Sequence, residues 1–235
     1  VEYGFSFYVL IEKLLNGSRE LCVMLINFDG TLDDNSGDHN SGIRCTDEGS
    51  DLYGSDITFV DNKVYAVGYR NDGTQLDSLV MKLDDDDLDF EESSPVFEDV
   101  GASNRDDKAN AIRSFYNNKL MVVGATRGLS GDLDGYVRYV DSDIENEAGF
   151  NGGADLILDV PGSLGDDELL TLGGVAESNF TAFIGGSTEQ ISGSKDAFVV
   201  GIDKTGTVNV NVGSDGFIIF NTGNDNGSSS SEISS

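Results

Sequence analysis

Residues 62–84 read NKVYAVGYRNDGTQLDSLVMKLD, and residues 118–141 read NKLMVVGATRGLSGDLDGYVRYVD. Each stretch holds two runs rich in valine, leucine and tyrosine around a polar, glycine-bearing centre, the pattern of two strands joined by a turn. The first run closes on a glycine six residues after an asparagine: Asn62 to Gly68, Asn118 to Gly124, and Asn179 to Gly185 in NFTAFIG. The second run places an acid, a valine, an aliphatic residue and Asp or Asn at fixed intervals. These sets are Asp77/Val80/Leu83/Asp84, Asp134/Val137/Val140/Asp141, Asp196/Val199/Ile202/Asp203 and, earliest, Glu20/Val23/Ile26/Asn27. The four acids lie 57, 57 and 62 residues apart. Two signatures with nearly one period identify an internal repeat.

Two further runs complete each unit. One lies upstream (Asp56–Val60, Ala111–Tyr116, Leu170–Val175) and one downstream (Val96–Val100, Ala154–Val160, Gly216–Phe220). Glycines and acids mark the joins, as in DVGASNRDD and DVPGSLGDD, where Asp106 and Asp107 match Asp166 and Asp167. A meander of four strands cannot bury both faces alone and must stack on its neighbours. The sequence therefore predicts an all-β fold, a β-propeller of four-stranded antiparallel blades at about residues 1–47, 48–104, 105–165 and 166–223, with a Ser/Gly-rich tail or linker at 224–235. Helical periodicity is confined to the ambiguous FYVLIEKLL. The first recognisable strand, Phe5–Ile11, matches the second strand of the other units, so the first blade lacks its opening strand. Glu232 and Ile233 stand where a next opening strand would fall. A slice of a larger propeller is expected ahead of a closed four-bladed ring, because an open arc leaves sheet edges unpaired.

Composition limits the partners. Lys and Arg total 14 against 43 Asp and Glu, a formal charge of −29, which repels phosphate backbones and anionic membranes. Nucleic acid is excluded as an expected partner, and the charge is read as solubility in a salty medium or surface cation binding. No run approaches the roughly 18 apolar residues of a membrane span, so no membrane insertion is expected. VEYGFSFYVLIEKLL lacks the basic start and cleavage site of a signal peptide, and its opening Val suggests a processed protein or a piece of a longer one. Cys22 and Cys45 suit neither a zinc site nor a disulfide-dense scaffold; one disulfide and two separate thiols both remain open.

The stretch SKDAFVVGIDKTGTV, preceded by GDDELLTLGGVAESNFTAFIGGST, resembles the bacterial β-propeller repeat called SBBP. Its units run as an acidic pair, a strand ending in an Asn- or Gly-bearing turn, a strand ending in Gly-x-Thr, and an Asp-Ala-Phe-Val strand closing on Asp and Gly. The resemblance covers about residues 48–223 and is best in the last unit. It implies a secreted or surface-attached propeller. Tryptophan, frequent in that family's fourth strand, is absent.

Catalytic chemistry finds little footing. The single histidine, His39, lies in the loop-like LDDNSGDHNSG, and no Gly-x-Ser-x-Gly elbow or phosphate-cradling glycine loop is present. No enzyme activity is therefore expected. A propeller-type glycosidase or lyase would need two converging carboxylates, which spacing alone does not reveal. For a cofactor, calcium is the one alternative to none, because FDGTLDDNSGDHN offers Asp29, Asp33, Asp34, Asn35, Ser36 and Asp38 as oxygen ligands. The missing EF-hand pattern favours a solvated acidic loop. LDDDDLDFEE and DSDIENE read as charged turns, and Asp77, Asp134 and Asp196 as acceptors for turn amides. Arg70, Arg105, Arg113, Arg127 and Arg138 offer charge for an acidic or sugar ligand but share no repeat position.

The loops between second and third strands lengthen by glycine-to-acid spacings of 9, 10 and 11. Such rims are where propellers recognise partners, which places function at residues 69–76, 125–133 and 186–195. The expected role is a non-catalytic, extracellular or cell-surface binding or structural module with a protein or glycan at that rim. The alternative is a calcium-stabilised, carbohydrate-binding propeller.

Overall fold

A computed structural model describes residues 6–15, 17–46, 48–91, 94–98, 100, 105–128, 131–161, 163, 165–176, 181–189, 194–213 and 215–220. Among the described residues, fifteen strands form four antiparallel sheets. The first holds β1 (Ser6–Leu15), β2 (Ser18–Asn27) and β3 (Ile43–Cys45). The second holds β4 (Asp51–Val60), β5 (Lys63–Asn71), β6 (Leu76–Asp84) and β7 (Val96–Glu98). The third holds β8 (Asp107–Ser114), β9 (Leu120–Arg127), β10 (Leu133–Val140) and β11 (Leu156–Leu158). The fourth holds β12 (Asp167–Ala176), β13 (Thr181–Glu189), β14 (Lys195–Asp203) and β15 (Phe217–Phe220). Strand order follows chain order in every sheet, the up-and-down meander of a propeller blade. Almost no helix is present among the described residues, and no described helix is long and apolar enough to cross a membrane. The ambiguous FYVLIEKLL belongs to β1.

The asparagine of the repeat has a local cause. Asp61 and Asn62 both take left-handed φ, 50° and 59°, closing Val60 onto Lys63 with a two-residue turn of the primed type, and Asn117 and Asn118 repeat the geometry at 57° and 58°. Asn179 lies outside the described residues. At the other end of the third strand, the closing Asp or Asn starts one turn four times. Asn27, Asp84, Asp141 and Asp203 each donate their backbone N–H to a carbonyl four or five residues on, at 2.8–3.0 Å. The preceding aliphatic residue then bridges past that turn, in the pairs Ile26 with Leu32, Leu83 with Phe90, Val140 with Asn146, and Ile202 with Val208.

Sheets stack face to face around three buried layers. Leu21, Val23 and Leu25 meet Leu79, Met81 and Leu83 between the first and second sheets. Val67 and Val80 meet Leu120, Tyr136 and Val140 between the second and third. Val123 and Val137 meet Ile184, Phe198 and Val200 between the third and fourth. The repeated Val23, Val80 and Val137 all point at the sheet that follows, each sealing a layer in which a fully buried aliphatic side chain contributes about 1.5–3 kcal/mol.

Carboxylates fasten each sheet to the one before it. Asp51, Asp106 and Asp166 occupy one register position at the head of the opening strand. Each accepts a backbone N–H at the start of the preceding sheet's acid-and-valine strand (β2, β6 or β10): Arg19 at 2.8 Å, Leu76 at 3.1 Å and Leu133 at 2.9 Å. Each of these N–H groups thus finds an acceptor in the following sheet.

Three sequence expectations need correction. Opening strands start at Asp51, Asp107 and Asp167, earlier than the upstream runs, because bulges at Ser55, Asn110 and Leu170 break the alternation that marks a strand. The downstream strands are shorter than their apolar runs, three or four residues each. The third repeat glycine is Gly186, since Gly68 and Gly186 oppose Leu79 and Phe198, whereas Gly185 opposes Val199. A Cβ on Gly68, Gly124 or Gly186 would fall 1.8, 1.8 or 2.3 Å from a carbonyl oxygen of the bulged opening strand. The first sheet has Ile11 at this position, and no described strand lies beyond β1 for it to strike. Counted from Gly186, the loops no longer lengthen steadily.

The expected closing strand at Glu232–Ile233 and the tail 224–235 lie outside the described residues. The four sheets do not close into a ring among those described.

Candidate functional site

The hairpins expected to form the recognition rim do share one rim, where third strands begin. They close at Asn71/Leu76, Arg127/Leu133 and Glu189/Lys195, with residues 129–130 and 190–193 outside the described set. The corresponding hairpin of the first sheet, at Leu15/Ser18, is the shortest, and it borders a hollow of about 430 Å³. Lys13, Arg19, Glu20, Asp38, Glu48 and Ser50 line this hollow with Ser18 and Thr46. A second hollow of about 440 Å³ shares Asp38, Cys45, Thr46 and Glu48, and continues to Arg44, Phe90 and Pro95.

Its walls are braced. Cys22 and Cys45, directly opposite in β2 and β3, form a disulfide. Thr46 is buried beside them, its Oγ1 accepting from Leu21 N at 3.2 Å while its own N–H donates to Leu21 O at 3.0 Å. Asp38 accepts from Arg44 Nη1 at 2.9 Å and Cys45 N at 3.2 Å. Arg44 also lies over the Phe90 ring, 5.0 Å from its centroid. Arg19 pairs with Glu12 at 2.5 Å and covers the Tyr53 ring at 4.6 Å. Both signs of charge thus meet over a rigid floor, and none of the lining residues named is aromatic apart from Phe90 in the second hollow. The lining offers hydrogen-bonding groups rather than a stacking platform.

Sequence reasoning missed this hollow because residues 13–20 and 45–50 meet only through strand pairing. The one signal in the sequence was the pair of cysteines.

The residues proposed for calcium lie mainly in the long β2–β3 connection, beyond the opposite end of β2 from the recognition hairpins. Asp29 Oδ1 accepts from Thr31 N at 2.9 Å and Oγ1 at 2.6 Å, which holds its carboxyl below the usual carboxylate range, the hydroxyl bond contributing most. Asp33 Oδ1 accepts from Asn35 N at 3.0 Å and Nδ2 at 3.2 Å, and Asp34 from the same amide at 3.2 Å. No three of Asp29, Asp33, Asp34 and Asp38 bring carboxylate oxygens within 4.8 Å of one another. Ser36 differs: it is buried and its Oγ has no hydrogen-bond partner. Asp84, Asp85 and Asp86 do converge, in a turn where Lys63 pairs with Asp84 at 2.5 Å. His39 is exposed with a left-handed φ of 56°.

The five arginines serve the scaffold. Arg138 forms a buried fork with Asp155 at 2.6 and 2.8 Å. Arg70 pairs with Asp77 and lies 4.1 Å over the Phe97 ring. Arg113 reaches Asp56 at 2.5 Å, Arg127 reaches Asp106 at 3.1 Å, and Arg105 donates to the Gly128 carbonyl.

Three carboxyls are pushed above their ordinary range; in Asp85 burial contributes most and the neighbouring charges of Asp86 and Asp84 add to it. Burial raises Asp167 and Asp134, and the neighbouring charge of Asp159 adds to both. Asp167 also accepts Val160 N at 2.8 Å, which ties it to the connection between the third and fourth sheets.

No protein-family model matches the sequence, and no curated protein is significantly similar to it.

Proposed function

We propose that this chain is a non-catalytic, secreted or cell-surface β-propeller of the SBBP type, acting as a binding module through the rim on which third strands begin. The braced hollow around Lys13, Arg19, Glu20, Asp38 and Glu48 carries the reading: it is concave, polar and held by a disulfide. A disulfide suits an oxidising, extracellular setting. The ligand class favoured is a polar protein segment or glycan recognised by hydrogen bonds and paired charge. The test is an array of immobilised peptides and glycans probed with wild type and with a Lys13→Glu/Arg19→Glu double variant. Retention on a defined subset by wild type alone supports the proposal, and identical profiles for both proteins refute the assignment of the hollow.

The second reading is a calcium-stabilised, carbohydrate-binding propeller, favoured by the buried, unpartnered Ser36 hydroxyl inside the acidic connection. Thermal melting with calcium and with chelator decides it: an unchanged midpoint removes calcium as a structural ligand.

A further inference from the structure

We infer that the outer faces of the first and fourth sheets are the two halves of one interface, and that each is covered by a second copy of this chain joined head to tail. Each inner sheet presents one face to the sheet before it and the other to the sheet after it. On the after-facing side of the third sheet, Met121, Val137 and Leu158 are 1%, 0% and 4% exposed. Strand registers place Phe183, Val199 and Phe220 at those same positions in the fourth sheet. There Phe183 is 36% and Phe220 52% exposed, with Ile218 beside them at 40%. A sheet built to end a stack in water carries polar residues on its last face. This one instead repeats the apolar pattern of the buried interfaces.

The Phe183 position already grips a following sheet elsewhere in the chain. Tyr8 and Tyr65 hold it in the first two sheets, and their hydroxyls donate to backbone carbonyls in the next sheet's turn: Asp85 at 3.3 Å and Ser142 at 3.1 Å. The first sheet supplies the opposite surface. Val64, on the before-facing side of the second sheet, is fully buried, and its counterpart in the first sheet is Phe7, 55% exposed. One face is after-facing and the other before-facing, so each matches the other and neither matches itself. The contact is heterologous, and it continues the packing the chain already uses three times.

Size-exclusion chromatography with light scattering on the full chain tests this, using Phe7→Asp and Phe183→Asp as probes. Wild type is expected to reach at least twice the monomer mass as concentration rises, and each variant alone to stay at monomer mass. An equimolar mixture is expected to form a one-to-one pair, because Phe7→Asp keeps an intact fourth-sheet face and Phe183→Asp an intact first-sheet face. Far-UV circular dichroism checks folding, and Phe220→Asp replaces Phe183→Asp should that variant unfold. Wild type that is monomeric throughout, variants that associate as wild type does, or a mixture that stays monomeric would each overturn the inference.

Discussion

Gly185 and Gly186 are adjacent, and only one of them is held by the backbone of another strand. Built onto Gly186, a methyl group lies 2.3 Å from the Glu168 carbonyl oxygen and 2.6 Å from the Phe198 ring. The ring can turn, but the carbonyl belongs to the bulged opening strand and moves only with it. Overpacking costs about 1–3 kcal/mol, and a clash with backbone belongs at the top, so Gly186→Ala is expected to destabilise by about 3 kcal/mol. Built onto Gly185, the methyl lies 3.0 Å from Thr171 Cγ2, the end of an exposed side chain that can rotate away. Replacing glycine within a strand returns roughly 0.5–1 kcal/mol of backbone entropy, which leaves Gly185→Ala near neutral. For a chain of this size 1 kcal/mol moves the melting midpoint by about 2–4 °C, so the expected shifts are about 6–12 °C for Gly186→Ala and at most a few degrees for Gly185→Ala. Far-UV circular dichroism is the suitable readout, because the chain has no tryptophan. Equal shifts, or a larger one for Gly185→Ala, would refute the register and the argument from it.

Other outcomes follow from the same contacts. Replacing both cysteines by serine opens a loop whose ends are 23 residues apart and is expected to cost about 3 kcal/mol, measured as the gap between urea midpoints with and without reductant in wild type. Asp106→Ala strips the acceptor from Leu76 N and a partner from Arg127, for an expected loss of about 1–3 kcal/mol, while Asp106→Asn keeps an acceptor and loses less; equal losses would show that charge alone matters. The raised carboxyl of Asp167 stabilises the fold fully below the ordinary Asp value of 3.8 and loses that contribution as pH rises through its higher folded value. Asp167→Asn is therefore expected to raise the midpoint at pH 7 and to leave it unchanged near pH 3; a lower midpoint at pH 7 counts against the burial argument.

The fold was legible because its signals are local and repeated. Val23, Val80 and Val137 keep one spacing from an acid and from a closing Asp or Asn, and all three meet the same surroundings. What escaped depends on alignment between strands. Two consecutive glycines look alike in a sequence, and only pairing with Phe198 or Val199 separates them. Asp106 and Asp166 were visible as matching acids, yet Asp51 was not, because Leu52 stands where its companions have a second aspartate. The hollow was hidden for the same reason: Lys13, Arg19 and Glu48 are distant in the chain, and the pairing of Cys22 with Cys45 brings their segments together.

The carboxylates of Asp51, Asp106 and Asp166 also set an order of assembly. Each satisfies a donor in a sheet that leaves the ribosome before it does, so the first three sheets complete these hydrogen bonds only once the next has begun to form. A growing chain is therefore expected to leave each of those three sheets one hydrogen bond short until its successor docks.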